Sequence, residues 1–357
     1  MDGKQWISDF RPLLIDGQAL YASKRNHLYV SYDWGGNFEY IAKYNRPFLR
    51  NQVFGHRLTE RVAREGFHSL QVLDNETLIA VVRKKILIKK KNDVDFREVF
   101  NIKRGSRPLN LCVSQNGKIY FGEYFDNSIR EEVYIYGSDD GENWEIVHTF
   151  QAGKIRHVHG IFFDPYRKGM WVLTGDTDEE SGIWWTPDEF GTLSCLVTGT
   201  QQARAVEIIP LQNNLIVPMD TPLEQNFIHS FDTNTLQFSK LASLSGSAFH
   251  ARGDDKLALV TTVVEPSTVN KTEHVSVWAG GNNHWKCIKK IKQDRWSALS
   301  YYYFRYPELE IYTGESSPYF FLYGRGITGI DGHMIRWQKT NLIEEIKASA
   351  IAEKSQA

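Results

Sequence analysis

The chain has 357 residues, 41% hydrophobic and 13% aromatic, enough to bury one large core. Lys plus Arg total 42 and Asp plus Glu 43, a formal net charge of -1, which excludes a bulk basic field for nucleic acid and the acidic excess of a disordered chain. Met1 to Leu20 carries Asp2, Lys4, Asp9 and Arg11 with no continuous apolar run, and no later segment reaches the roughly 18 apolar residues of a membrane span. A cytoplasmic protein with no nucleic-acid and no membrane partner is expected, and its oligomeric state stays open. Cys112, Cys195 and Cys287 are an odd set inside predicted strands, expected to be reduced core residues.

Apolar or alternating runs bounded by Gly, Asn and Asp turns predict strands, which group in fours with approximate limits 10–44, 67–101, 107–151, 156–197, 203–242, 247–290 and 297–338. Between the first two groups an insertion, residues 45–66, contains a predicted short helix over 58–64, read as padding rather than a lid. In the second group Arg83-Lys84-Lys85 and Lys89-Lys90-Lys91 flank Ile86-Leu87-Ile88; such charges mark a solvated hairpin edge, with a track for an anionic polymer as the alternative. The third group has an Asn116-Gly117 turn suited to a tight hairpin. Five segments then repeat one order, apolar strand, polar turn, second strand ending in a carboxylate: Leu109 to Glu123, Gly160 to Asp176, Ala205 to Asp220, Ala248 to Glu265 and Ala298 to Glu315. Their carboxylates are spaced by 53, 44, 45 and 50 residues, the period of a four-stranded propeller blade. The expected fold is an all-β, single-domain β-propeller over 1–339, of seven blades with six as the alternative, followed by a helical tail over 340–357. In that tail Leu342, Ile343, Ile346 and Ala350 form a stripe that should dock on the propeller.

Ser31-Tyr32-Asp33-Trp34-Gly35-Gly36-Asn37-Phe38 resembles the Asp-box (BNR) repeat, Ser/Thr-x-Asp-x-Gly-x-x-Trp/Phe, and Gly137-Ser138-Asp139-Asp140-Gly141-Glu142-Asn143-Trp144 reads as a second copy. Degenerate copies follow at Ser230 to Asn234 and Trp278 to Trp285. In such a turn the Asp accepts backbone N–H bonds, the Gly takes a conformation other residues resist, and the aromatic plugs the hairpin. The resemblance implies the sialidase-like superfamily of propellers, which contains sialidases, other glycosidases and non-catalytic members. Phe10-Arg11-Pro12 is read as a chance likeness to the sialidase Phe-Arg-Ile-Pro motif, because the Ile is absent and the first Asp box follows closely. Sialidases have six blades, so their nucleophile and arginine triad are not carried over.

Strands meandering up and down place the start of each first strand and the end of each second strand on one face, with the Asp-box turns opposite. Ahead of the first strands stand His68, Arg104, Arg107, Arg156, His157, His159, Gln201, Gln202, Arg204, Ser247, His250, Arg295 and Trp296. At the ends of second strands stand Glu123, Asp176, Asp220, Glu265 and Glu315. Cationic and titratable groups should therefore line a funnel backed by acids, with Arg107 and Glu123 the pair most apt to be a plain interblade ion pair. Of His157 and His159, one is expected to face the funnel.

These groups suit a carbohydrate-active enzyme, glycoside hydrolase-like, that cleaves an acidic oligosaccharide or polysaccharide of uronate or sialate type. Arg107, Arg156, Arg204 and Arg295, with Gln202, Trp296 and Glu315, would bind substrate. Two of Glu123, Asp176, Asp220 and Glu265 would act as acid and as base or nucleophile. Two alternatives are lyase chemistry with His68 or His159 as base and a non-catalytic glycan- or protein-binding propeller. No cofactor is expected; the alternative is a divalent metal on His68, His159 and an acid.

Overall fold

The computed structural model describes residues 7–46, 61–62, 65–281 and 284–354. Within it the strands form seven four-stranded antiparallel sheets, each built from strands consecutive in the chain except at the closure, arranged as a propeller. The inner strands, in blade order, are Arg11–Asp16, Ser69–Val72, Cys112–Val113, His157–Asp164, Ile209–Pro210, Ala248–Gly253 and Glu308–Tyr312. The second strands are the most buried, Leu78–Val82 and Gly169–Gly175 at every position. Sheets above and below cover both of their faces, which is why they read as continuous apolar runs rather than alternating ones. Between blades four and five, Trp171, Leu173 and Ile183 pack on Ala203, Leu215 and Phe231.

The ring closes with a strand the sequence did not announce. Ile7–Ser8 pairs with Met334–Gln338, Ile7 opposite Ile335, and supplies the outer strand of blade seven. Residues expected to begin that blade are instead two short helices, Arg295–Leu299 and Tyr301–Phe304, because Asp294 and Ser300 cap them by accepting the Ser297 and Tyr303 N–H groups. The tail helix, Lys339–Lys354, docks as expected: Leu342 is buried and Ile343 and Ile346 pack beside it on blades six and seven. The side chain of Ala350 lies outside the described residues. No described helix is long and apolar enough to cross a membrane. Cys112 is buried, whereas Cys195 is exposed and Cys287 half-buried on outer strands, so only the first is a core residue; all three are free thiols.

Opposite the mouth, one type of turn recurs. Ser31 Oγ accepts the Gly35 N–H and Asp33 accepts the Asn37 N–H, both at 2.8 Å. In blade three the accepting carboxylate is Asp140, which takes the Glu142 and Asn143 N–H groups at 2.8 Å, rather than the Asp139 of the sequence alignment. A third such turn, missed in the sequence because Phe190 precedes Gly191, joins Thr186 to Phe190 and Asp188 to Thr192. Asp232 accepts two N–H groups in the degenerate copy of blade five; residues 282–283 of the last copy lie outside the described residues. Backbone bonds from Asn37 and Asn143 hold Asp33 and Asp140 down to about 2.

Asp164, at the far end of the inner strand of blade four, is completely buried. It accepts the Trp171 indole N–H at 2.8 Å, Arg167 Nη1 at 2.7 Å and the backbone N–H groups of Tyr166 and Arg167. Asp164→Ala strands these donors without a partner, and a loss of about 3–5 kcal/mol is expected. A urea midpoint unchanged from wild type would contradict this.

The insertion reaches the mouth. Arg61, helical and buried, bonds Asp294 at 2.7 Å together with the Ser297 hydroxyl and the Phe304 carbonyl, tying the insertion to the short helices ahead of blade seven. The rest of the predicted 58–64 helix lies outside the described residues, apart from Val62. The basic run of blade two is ion-paired at the surface, Lys85 to Glu98, Lys90 to Glu142 and Lys91 to Glu76.

Candidate functional site

On the inner strand of blade four the register slips by one between Val158 and Gly160. His157 and His159 stand two apart on that strand and reach the same place, correcting the expectation that only one faces the funnel. Both rings are buried, and their Nε2 atoms are 3.2 Å apart. His157 Nδ1–H donates to the Phe125 carbonyl at 3.0 Å and His159 Nδ1–H to the Ala205 carbonyl at 2.9 Å. Asp176 Oδ1, at the end of the second strand, stands 3.4 Å from His157 Nε2 and 3.2 Å from His159 Nε2. The residue before it must be glycine, since a Cβ on Gly175 would lie 2.5 Å from His159 Cε1.

Two arginines bracket Asp176. Arg156 Nη1 reaches its Oδ2 at 3.0 Å, while Arg204 donates to its carbonyl at 2.8 Å and places Nη2 3.4 Å from Oδ1. Arg204 Nε lies 3.6 Å from Asp220 Oδ2, and Arg156 Nε and Arg204 Nε are buried donors without a hydrogen-bond acceptor. Asp220 is buried, and burial raises it against the pull of Arg204. Burial and the charge of Asp220 push Glu265 up to about 7, although the Ser247 hydroxyl bonds to it. Tyr124, raised to about 12 by burial and by Asp176, packs its ring 4.3 Å from that of His157, tilted by 41°.

Across the axis a second group closes the ring. Arg11 binds both oxygens of Glu310, at 3.1 and 3.0 Å, and Arg325 binds Glu308 and Glu310. Arg107 bonds the His68 ring; burial and the neighbouring Arg325 and Arg11 lower it to about 10. Two imidazoles on this rim take opposite states. Burial and Arg107 keep His68 neutral, well below its ordinary value, whereas Glu207 and Glu308 overcome burial at His250 and raise it to about 9. A cavity of about 260 Å³ opens here, lined by Arg11, Arg61, His68, Arg305, Tyr323 and Arg325 among others.

Several expected site residues stand elsewhere. Glu315 lies in the turn between Glu308–Tyr312 and Tyr319–Arg325, on the opposite face; the helices at 295–304 shift the strands along, so Arg325 ends the second strand of blade seven. Arg295 is exposed and lies over the ring of Trp296, 4.7 Å away, on the capped helix. Gln201, not Gln202, donates to the Asp176 carbonyl and to Asp178, because the short helix Gln201–Ala203 turns Gln201 inward. Glu123 pairs with Arg104 rather than Arg107, and also accepts the Tyr134 N–H, so its oxygens are committed. His68 is with Arg107, not with His159; among the described residues the group whose metal-ligand atoms converge is His157, His159 and Asp176. Arg11, Glu207, Glu308, Glu310 and Arg325 were missed. A signal existed in Glu308-Leu309-Glu310-Ile311, where alternation sends two carboxylates to one side of an inner strand.

No protein-family model and no curated protein matches this sequence. Among solved structures it is similar to an oligogalacturonate lyase from Vibrio parahaemolyticus, with a TM-score of 0.58, 8% identity and coverage of 91% of this chain and 88% of that one. It is also similar to a virginiamycin B lyase from Staphylococcus aureus, with a TM-score of 0.55, 10% identity and coverage of 93% and 99%. A GH74 enzyme from Niastella koreensis gives a TM-score of 0.50 and 12% identity over 78% of this chain and 47% of that one. At such identities the likeness establishes the propeller alone.

Proposed function

We propose that this propeller is a glycoside hydrolase-like enzyme of the Asp-box type that binds and cleaves an acidic glycan at its mouth. Arg204, Arg156 and Arg107 would hold a uronate- or sialate-type carboxylate; two of them carry buried Nε donors without an acceptor. The observation that carries the reading is the pair Asp220 and Glu265. Both are raised, and burial with the charge of Asp220 pushes Glu265 up to about 7. The charge of Asp220 helps to keep a proton on Glu265 near neutral pH, so Glu265 can serve as the acid while Asp220 serves as the base. Glu265, half-buried, is the proton donor to the leaving oxygen, and Asp220 beside Arg204 is the carboxylate that activates water or attacks. Glu123 and Asp176 are less suited, their oxygens being taken by Arg104 and by the imidazoles and guanidiniums. Tyr124 offers an aromatic face within the mouth, and Tyr302 and Tyr303 stand exposed on the helices at its rim. The Asp-box assignment is supported by the three serine- or threonine-initiated turns, and glycan-acting neighbours of the same fold agree with the substrate class.

One observation favours elimination as a second reading. His68 is neutral and ringed by arginines, the state a base needs beside a carboxylate it must help to neutralise. His159 is a poorer base, being buried with its Nε2 facing His157 and Asp176 rather than the open mouth. Incubation with a panel of acidic oligosaccharides, following reducing ends and the absorbance of a new double bond, separates the readings. Reducing ends alone are expected; both signals mean elimination, and binding without either means a non-catalytic module.

A further inference from the structure

The bonds around His157 and His159 determine which ring nitrogens carry hydrogen. A carbonyl oxygen only accepts, so the Nδ1 atoms facing Phe125 O and Ala205 O are the protonated ones. In the neutral rings, Nε2 therefore carries a lone pair, and these two lone pairs point at each other across 3.2 Å and at Asp176 Oδ1. Three electron-pair donors thus converge in a place where both imidazoles are buried, with Arg204 Nη2, 3.4 Å from Asp176 Oδ1, on the carboxylate alone and, among the described residues, no cationic group between the two ring nitrogens. A positive charge at their centre resolves this. Putting it on the rings as two imidazolium ions would set two buried cations 3.2 Å apart, beside two guanidiniums.

We propose that His157 Nε2, His159 Nε2 and Asp176 Oδ1 bind one late first-row divalent cation of the Zn²⁺ class, with the fourth position open. The edges of the triangle fit. A tetrahedral ion with bonds of about 2.0–2.1 Å holds its ligand atoms about 3.3–3.4 Å apart, and the three observed separations are 3.2, 3.2 and 3.4 Å. The outer partners are those of a built metal site. Each imidazole is oriented by a backbone carbonyl on its far nitrogen, and Arg156 occupies Asp176 Oδ2, leaving Oδ1 to turn inward. The two-residue spacing of the histidines on one strand and the absence of a side chain at Gly175 permit both rings to reach this point. Two imidazoles and one carboxylate select a transition ion over Ca²⁺ or Mg²⁺, which prefer all-oxygen sites. Three protein ligands leave one position for water or a ligand oxygen, the arrangement of a reactive rather than a closed structural site. The inference holds whether or not the mouth acts on a glycan.

The test is direct. Full-length protein stripped with a chelator and desalted is titrated with ZnCl₂ by calorimetry, and with CoCl₂ by visible absorption. One ion per chain and a tetrahedral Co²⁺ spectrum are expected, with no response to CaCl₂. His157→Ala and His159→Ala should each weaken Zn²⁺ binding by more than roughly 100-fold, beyond what losing an outer partner costs. Gly175→Ala keeps all three ligands but displaces His159, and should weaken binding by roughly 10- to 100-fold. Circular dichroism melts identify any variant that fails to fold, and His159→Gln then replaces it. A wild-type titration without heat and a Co²⁺ spectrum of the free aqueous ion would overturn the proposal, leaving a shared proton as the charge. So would full affinity in a folded His159→Ala or His159→Gln variant.

Discussion

Arg204→Ala is expected to cost about 3–5 kcal/mol of stability and to remove the grip of the mouth on an acidic ligand. Arg204 is nearly buried and serves two acids at once, with Asp220 at 3.6 Å and Asp176 at 3.4 Å. Its third contact, to the Asp176 carbonyl, fixes the fork. Alanine leaves two carboxylates near each other in a buried setting, and their proton affinities must rise further. A lost charge-assisted hydrogen bond to a bound uronate is worth about 1.5–3 kcal/mol, or roughly 10- to 150-fold in affinity. Arg204→Lys keeps the charge without the fork and should recover stability more than affinity. Urea unfolding and calorimetric titration with a uronate oligosaccharide read the two effects separately. An Arg204→Ala protein as stable and as tight-binding as wild type would remove this residue from the site.

The second large effect is expected at Glu265. Glu265→Gln should lower turnover roughly 100- to 10,000-fold, the range for losing a general acid, while binding persists. The pH profile should show the same group. With Glu265 titrating at about 7, the wild-type rate falls as pH rises past neutrality and the acid loses its proton. Stability follows the same proton. A glutamate near 4.3 in the unfolded chain takes up a proton on folding, so its contribution is complete below about 4.3 and disappears as pH climbs through about 7. The span is on the order of 3 kcal/mol, and Glu265→Gln should flatten it. Unfolding midpoints measured from pH 4 to 8 would contradict this if wild type and variant run parallel.

Much of the fold was legible because its signals are local and repeated. The largely buried second strands, Leu78–Val82 among them, give apolar runs that recur near every fifty residues, and each run ends in a polar residue at the same face. Where a signal depends on distant partners, sequence reading failed. Ile7–Ser8 has no periodicity of its own and becomes a strand only because Ile335 waits beside it. Arg295 to Phe304 is rich in aromatics and reads as strand until the capping carboxylate of Asp294 and the hydroxyl of Ser300 are seen to start helices there. That error displaced Glu315 by one turn of the chain, to the wrong face. Asp176, Asp220, Glu265 and Arg204 were found from their place in the repeat. Their partners were not, because the choice of Arg104 over Arg107 for Glu123, and the convergence of both imidazoles on Asp176, depend on side-chain reach.

The proposed function requires that a ligand carboxylate sit among Arg204, Arg156 and the Asp220–Glu265 pair. A crystal of the protein soaked with a uronic-acid oligosaccharide measures that directly. The account expects sugar density in the mouth, with a carboxylate oxygen within hydrogen-bond distance of a guanidinium of Arg204 or Arg156 and a glycosidic oxygen beside Glu265. Density on the Asp33 and Asp140 face, or a mouth left unchanged while the oligosaccharide binds elsewhere, would contradict it.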